Sequence, residues 1–177
     1  GRLLGRLDSA LQALELPPAD FINRWDLAHG YVVCSDYREL LGGDQADLVG
    51  HFLEYYWLHV LPQLGELPKS VIHNDANDHN VLVDDAQRPT RIVGLIDFGD
   101  LSWQPIVCDV AIALAYFLLD KEQPMAACGA FLRGYQARRV LQEDELALLF
   151  GLIKARLAVS LAISSHRQRE NPDDPYI

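Results

Sequence analysis

Apolar residues recur at helical spacing from the first turn of the chain, where Leu3, Leu4, Leu7, Leu11 and Leu14 fall on one side of a helix. Pro17 and Pro18 interrupt that pattern, and a turn-rich stretch leads to a second helical segment over residues 29–41, ended by Gly42 and Gly43. Asp44 has the chemistry of an N-cap for a long third helix reaching Leu64, with Leu48, Phe52, Tyr55, Tyr56 and Leu58 as its apolar stripe. The period then changes. Val71-Ile72, Val81-Leu82-Val83 and residues 91–96 are short β-branched runs between polar loops, and residues 84–90 read as the hairpin turn joining the second run to the third. Helical patterning returns over residues 106–119, 125–139 and 143–166, with Pro124 and the Gln142-Glu143-Asp144-Glu145 cluster at the last two starts. The tail from Asn171 to Ile177 reads as a solvated loop. The expected fold class is α+β: one mostly helical domain over residues 1–177, with a small hairpin that holds loops in fixed positions.

Composition narrows the partners. A length of 177 residues with 50% hydrophobic content suits one globular domain with a sizeable core. A formal net charge of -10 argues against nucleic acid and favours a cationic ligand over an anionic one. No run of about 18 consecutive apolar residues suggests a membrane span, and no leader pattern opens the chain. Cys34, Cys108 and Cys128 lie far apart in apolar stretches, so they read as buried thiols in a reducing, cytoplasmic setting. His51 and His59 near Trp57, and His73 with His79, fit no zinc spacing.

The chemistry concentrates in Val71-Ile72-His73-Asn74-Asp75-Ala76-Asn77-Asp78-His79-Asn80 and Gly94-Leu95-Ile96-Asp97-Phe98-Gly99-Asp100. Each loop adjoins a short strand, and Asn80 opens the strand whose partner ends at Asp97, so both loops are expected on one sheet edge. Phosphoryl transfer needs a carboxylate to receive the acceptor's proton and hard oxygen ligands for a dication at the nucleotide phosphates. Asp75 suits the first role; Asn80 and Asp97 suit the second.

His73-x-Asp75-x-x-x-x-Asn80 resembles the catalytic loop shared by protein kinases and the aminoglycoside phosphotransferase and choline kinase group, and Ile96-Asp97-Phe98-Gly99 resembles their metal-binding loop. The absence of an arginine after His73, and the 17 positions from Asn80 to Asp97, favour the small-molecule branch. The wording around both loops is similar to hydroxylysine kinases and to phosphotransferase domains fused to class III aminotransferases. The resemblance implies the C-terminal lobe of a protein-kinase-like fold, with Asp75 as catalytic aspartate, Asn80 and Asp97 as Mg²⁺ ligands, and ATP as co-substrate. It makes His73 a loop-ordering residue and Asp109 a brace for the catalytic loop, with Asp100 supporting the metal ligands from behind, facing substrate or lying in a surface turn. The acceptor it implies is a small amine-bearing alcohol: hydroxylysine, an amino alcohol or an aminoglycoside-like molecule.

The helix after Gln142 enters the acceptor pocket by the same resemblance. Arg156, His166 and Arg167 either reach a substrate carboxylate there or form an amphipathic surface. Trp103, Tyr31, Tyr56 and Tyr135 either line a pocket for a cation or belong to the core. The family's nucleotide lobe, with its strand lysine and covering loop, is not in the chain: the lysines are Lys69, Lys121 and Lys154, and none sits in such a strand. The chain opens in mid-helix, so the reading is of a lobe separated from its nucleotide-binding half and with negligible turnover alone. The competing reading is a non-catalytic ligand-binding or regulatory module of a larger fusion enzyme.

Overall fold

A computed structural model describes residues 1–14 and 23–173; the Pro17-Pro18 break and the last residues of the tail lie outside the described residues. Helix α1 (Arg2–Leu11) buries Leu4, Asp8 and Leu11. It packs along α6 (Pro124–Gln136), so closely that a Cβ on Gly5 would lie 2.8 Å from the Tyr135 carbonyl. Leu14 lies past the helix end and is exposed.

Helix α2 (Gly30–Tyr37) is flanked by single 3₁₀ turns at Leu27–His29 and Arg38–Leu40. The third helix differs from the sequence expectation in both cap and phase. Gly42 is the N-cap of α3 (Gly43–Tyr55), so Asp44 lies within the first turn, where its charge faces the helix dipole. A π turn over Tyr56–Val60 leads into α4 (Leu61–Leu64). The buried stripe is Val49, Leu53, Tyr56, Val60 and Leu64, whereas Leu48, Tyr55 and Leu58 are exposed. Apolar residues occupy both sides of this helix, so periodicity alone could not choose the inward face. The choice is made by α7 (Glu143–Glu170), where a Cβ on Gly151 would lie 2.6 Å from Val60 Cγ2.

Two antiparallel ribbons lie between these helices and the last three. Strand β1 (Lys69–Ile72) pairs with β4 (Ser102–Pro105), and β2 (Val81–Val83) pairs with β3 (Ile92–Leu95). Asp84 closes the β2–β3 turn: its carboxylate accepts from the Thr90 and Arg91 N–H groups and the Thr90 hydroxyl, which holds its pKa down at about 2. Strand β4 is missing from the sequence reading, because Ser-Trp-Gln-Pro has no alternation and depends on a distant partner.

Helix α5 (Val107–Phe117) is buried from Val107 to Ala115 and forms the centre of the core with α7. Each fully buried leucine, isoleucine or valine there contributes about 1.5–3 kcal/mol. Gln142 and Glu145 form a reciprocal capping box at the start of α7. An 18-residue window of α7 has mean hydropathy 2.0 and is 61% buried, the profile of a core helix although its length and composition would also cross a membrane. All three cysteines are unpaired thiols, Cys34 and Cys108 being buried.

Candidate active site

Strand β1 delivers His73, Asn74 and Asp75 into a turn that the fold fixes through backbone amides. Asn74 sits at φ 66°, a left-handed conformation that asparagine tolerates better than most residues. The fully buried Asp109, in the first turn of α5, accepts the His73 N–H at 3.1 Å on Oδ2 and the Asn74 N–H at 2.8 Å on Oδ1. His73 Nδ1 accepts the Asp75 N–H at 3.3 Å, so its proton lies on Nε2, 3.1 Å from the Ile96 carbonyl. One buried imidazole thus ties the first loop to the second, with Phe98 packed edge-on against it at 4.8 Å.

The Asp75 carboxylate is held on both oxygens. Oδ2 accepts from Asn77 Nδ2 at 3.0 Å and Asn80 Nδ2 at 2.8 Å, and Oδ1 accepts from Arg156 Nη2 at 3.0 Å. Asn80 Nδ2 also donates to the Asp75 carbonyl at 2.8 Å, which leaves Asn80 Oδ1 as a metal-type ligand atom. Asn77 caps the 3₁₀ turn holding Asn80 by accepting the Asn80 N–H at 3.2 Å. Asn80 and Asp97 are brought to neighbouring positions, since the Ile96 N–H donates to the Asn80 carbonyl at 3.0 Å. Asp97 lies at φ 64°, and among the described residues its exposed carboxylate accepts only the Gly99 N–H, at 3.3 Å. A Cβ on Gly99 would sit 3.2 Å from that oxygen, so glycine keeps the turn open.

An amide oxygen beside an exposed carboxylate suits a hard dication that takes its remaining ligands from phosphate and water. Among the described residues no cluster of three His, Cys, Asp or Glu side chains converges, so this is not a closed metal cage.

The stretch from Asn23 to Leu27, expected only as part of a turn-rich link, borders both loops. Asn23 Nδ2 donates to Asp100 Oδ1 at 2.9 Å, and buried Asp26 accepts from Asn74 Nδ2 at 3.0 Å and Gln104 Nε2 at 2.6 Å. Burial raises the pKa of Asp26, and nearby Asp100 raises it further. Its available signal was Asn23-Arg24-Trp25-Asp26, a tryptophan among polar residues just before a helix. Burial likewise raises the pKa of Asp75, opposed by the Arg156 guanidinium and the Asn77 and Asn80 amides; Asp100 raises it.

Residues 1–147 match the family model described as the phosphotransferase enzyme family (APH). The chain belongs to this phosphotransferase family. It is similar to a hydroxylysine kinase from Danio rerio, 27% identical over 180 residues covering 98% of this chain and 50% of the relative. A hydroxylysine kinase from Xenopus laevis is 29% identical over 85% of this chain and 42% of its own length. The chain spans about half the length of the curated relatives it matches. Among solved structures, a microcompartment-associated aminopropanol kinase aligns over 96% of this chain and 60% of its own, with TM-score 0.64 and 21% identity. An amicoumacin kinase aligns over 94% and 50%, with TM-score 0.60 and 14% identity. At these identities the structural likeness establishes the kinase-like α+β fold.

In this phosphotransferase-family chain the three residues expected in the acceptor pocket, Trp103, His166 and Arg156, have different surroundings, and of the three Arg156 alone contacts Asp75 among the described residues. Trp103 opposes Val71 in the β1–β4 ribbon, half exposed and on the face opposite Gln104, whose side chain reaches Asp26 and Asn74. His166 stacks on Tyr37 at 4.2 Å and pairs with Glu170 at 3.4 Å, roughly 15 Å farther along α7 than Arg156. Arg156 is fully buried, and its guanidinium donates to Tyr116, the Trp25 carbonyl and Asp75. Exposed Arg167 lies over the Trp25 ring at 5.6 Å. Tyr56 and Tyr135 are core residues whose hydroxyls donate to the Leu27 carbonyl and Asp8, and Tyr31 packs on Trp57.

A second buried carboxyl lies behind the brace. Asp8 of α1 is pushed up to about 9 by burial and by neighbouring Asp109. Asp109 is itself raised by burial, opposed by the Asn74 and His73 N–H groups, so the shared proton is assigned to Asp8. Because the folded chain keeps a proton that the unfolded chain releases near 3.8, the Asp8 contribution to stability is fully present below that pH and declines as pH rises toward about 9. The slope approaches about 1.4 kcal/mol per pH unit for one proton. Asp8→Asn should flatten the decline between pH 5 and 8, as read by urea unfolding at several pH values. An unchanged slope would show that Asp8 is ionised in the folded chain.

Proposed function

We propose that the chain carries the acceptor- and dication-holding half of a kinase active site, transferring the γ-phosphoryl group of ATP to the hydroxyl of a small amine-bearing alcohol. The observation that carries this reading is the double use of Asn80: its amide nitrogen fixes Asp75, and its amide oxygen remains for a cation beside Asp97. Bound Mg²⁺ would offset charge on the phosphate oxygens, held by Asn80 Oδ1 and the Asp97 carboxylate. Asp75 accepts the acceptor's hydroxyl hydrogen as the new O–P bond forms and the bond to the ADP oxygen breaks, giving a phosphate monoester and ADP. Holding both reactants in line supplies most of the rate, and the rigid turn at His73-Asn74-Asp75 serves that purpose.

Asp100 adds negative charge beside Asp75, which favours an acceptor bearing an ammonium group. The relatives named hydroxylysine kinase and the structure named aminopropanol kinase support a hydroxylated amino acid or amino alcohol. The amicoumacin kinase structure contains AMP-PNP and Ca²⁺, in keeping with a nucleotide and a divalent cation. The test is ATP-dependent phosphorylation of hydroxylysine, ethanolamine, choline and an aminoglycoside by the protein extended upstream. A monoester product requiring Mg²⁺ is expected, and absence of transfer to any of them would overturn the reading.

The 177 residues alone should turn over negligibly, because none of the lysines is placed to hold phosphate: Lys121 lies over Phe117 at 5.4 Å, Lys154 lies over Tyr55 at 4.2 Å, and Lys69 is exposed at the start of β1. Equal ATP consumption by the short and extended forms would contradict this.

A further inference from the structure

Arg156 is among the largest fully buried side chains of the protein, and nothing in the phosphoryl-transfer chemistry accounts for it. A buried guanidinium is tolerated only when paired and hydrogen-bonded. Its three nitrogens reach three separate parts of the fold: Nε donates to the Tyr116 hydroxyl of α5 at 3.2 Å, Nη1 to the Trp25 carbonyl at 3.2 Å and Nη2 to Asp75 Oδ1 at 3.0 Å. The Trp25 and Tyr116 rings lie against it at 4.6 and 5.5 Å. Tyr116 is fixed in turn by Ser160 at 2.8 Å, one helical turn beyond Arg156 on α7. Among the described residues Asp75 is the only carboxylate paired with Arg156.

We propose that Arg156 is a positioning residue for phosphoryl transfer, a planar clamp on α7 that locks the Asp75 carboxylate from one side while Asn77 and Asn80 lock it from the other. The planar fork lets one side chain bond Asp75, Trp25 and Tyr116 together, whereas a lysine ammonium would keep only the charge-assisted contact to Asp75. Clamping through Oδ1 fixes the side-chain torsion, and a carboxylate displaced by about 1 Å loses roughly 100-fold in rate. Arg156 therefore carries the placement of α5, α7 and the Trp25 segment to the reacting hydroxyl without touching it.

This inference rests on the phosphotransferase reading of Asp75, and two readouts keep them separate. On this chain at fixed pH, three-bond Hα–Hβ couplings should give one staggered rotamer for Asp75 in the unaltered protein, averaged rotamers in Arg156→Met and a single rotamer again in Arg156→Lys. In the extended protein, Arg156→Met should lower kcat about 100-fold with the acceptor KM within about threefold; Arg156→Lys should recover at least about tenfold of that loss. If the methionine variant does not fold, Tyr116→Phe, which removes the support at Nε together with the link to Ser160, should give partial averaging of the Asp75 rotamer. A single rotamer in every variant, or a loss falling on KM, would overturn the proposal. If the unaltered protein phosphorylates no acceptor, the kinase reading fails, and the rotamer readout still decides whether Arg156 positions Asp75.

Discussion

Asp75→Asn is expected to lower phosphoryl transfer by about 10²–10⁴-fold while nucleotide binding is retained, because the change removes the proton acceptor and leaves Asn80 Oδ1 and Asp97 in place. A second effect accompanies the first. Arg156 is buried against this carboxylate, so a neutral partner leaves the guanidinium without counter-charge. Full loss of one partner in a buried pair costs about 3–5 kcal/mol; with the Asp75 side chain 21% exposed, solvent reduces the expected cost to about 1–3 kcal/mol. Turnover and urea unfolding should therefore be measured on the same samples. Unimpaired turnover would remove Asp75 from the chemistry, and unchanged stability would mean that the pair contributes nothing net.

The second large effect is expected at Asp109. Asp109→Ala deletes both acceptors of the His73 and Asn74 N–H groups, and those residues are completely buried. Each amide stranded away from water costs about 1–3 kcal/mol, so the variant should lose roughly 2–6 kcal/mol, a large part of a domain's usual margin. Asp109→Asn keeps one acceptor and should lose less. Amide hydrogen exchange gives the local test: exchange at His73 and Asn74 should accelerate more than in β3. Protection unchanged at these two amides would show that the turn at Asp75 does not depend on the brace.

The loops that carry the chemistry were legible because their residue types are dictated locally. Asn80 and Asp97 follow from strand ends at fixed spacing, and the asparagine and aspartate at positive φ are residues that bear such a backbone. Asp109 was expected as a brace only through the family resemblance, and it accepts the His73 and Asn74 N–H groups. What could not be read depends on contacts remote in sequence. Arg156 lies 81 positions from Asp75, and on α7 a buried arginine has the same pattern as an exposed one. Strand β4 exists through β1, and Asp26 joins the site through Asn74 and Gln104, each far along the chain. The inward face of α3 failed differently: apolar residues on both sides gave two admissible phases, and packing of α7 on Val60 selected one.

A single dication meeting Asn80 and Asp97 beside Asp75 should be visible when Mn²⁺ is titrated in with ATP. Paramagnetic broadening should reach the Asn80 side-chain amide and Asp97 first, reverse with Mg²⁺ and disappear in Asp97→Asn. Broadening centred instead on the exposed Asp84-Asp85 turn, or unaffected by Asp97→Asn, would contradict the account.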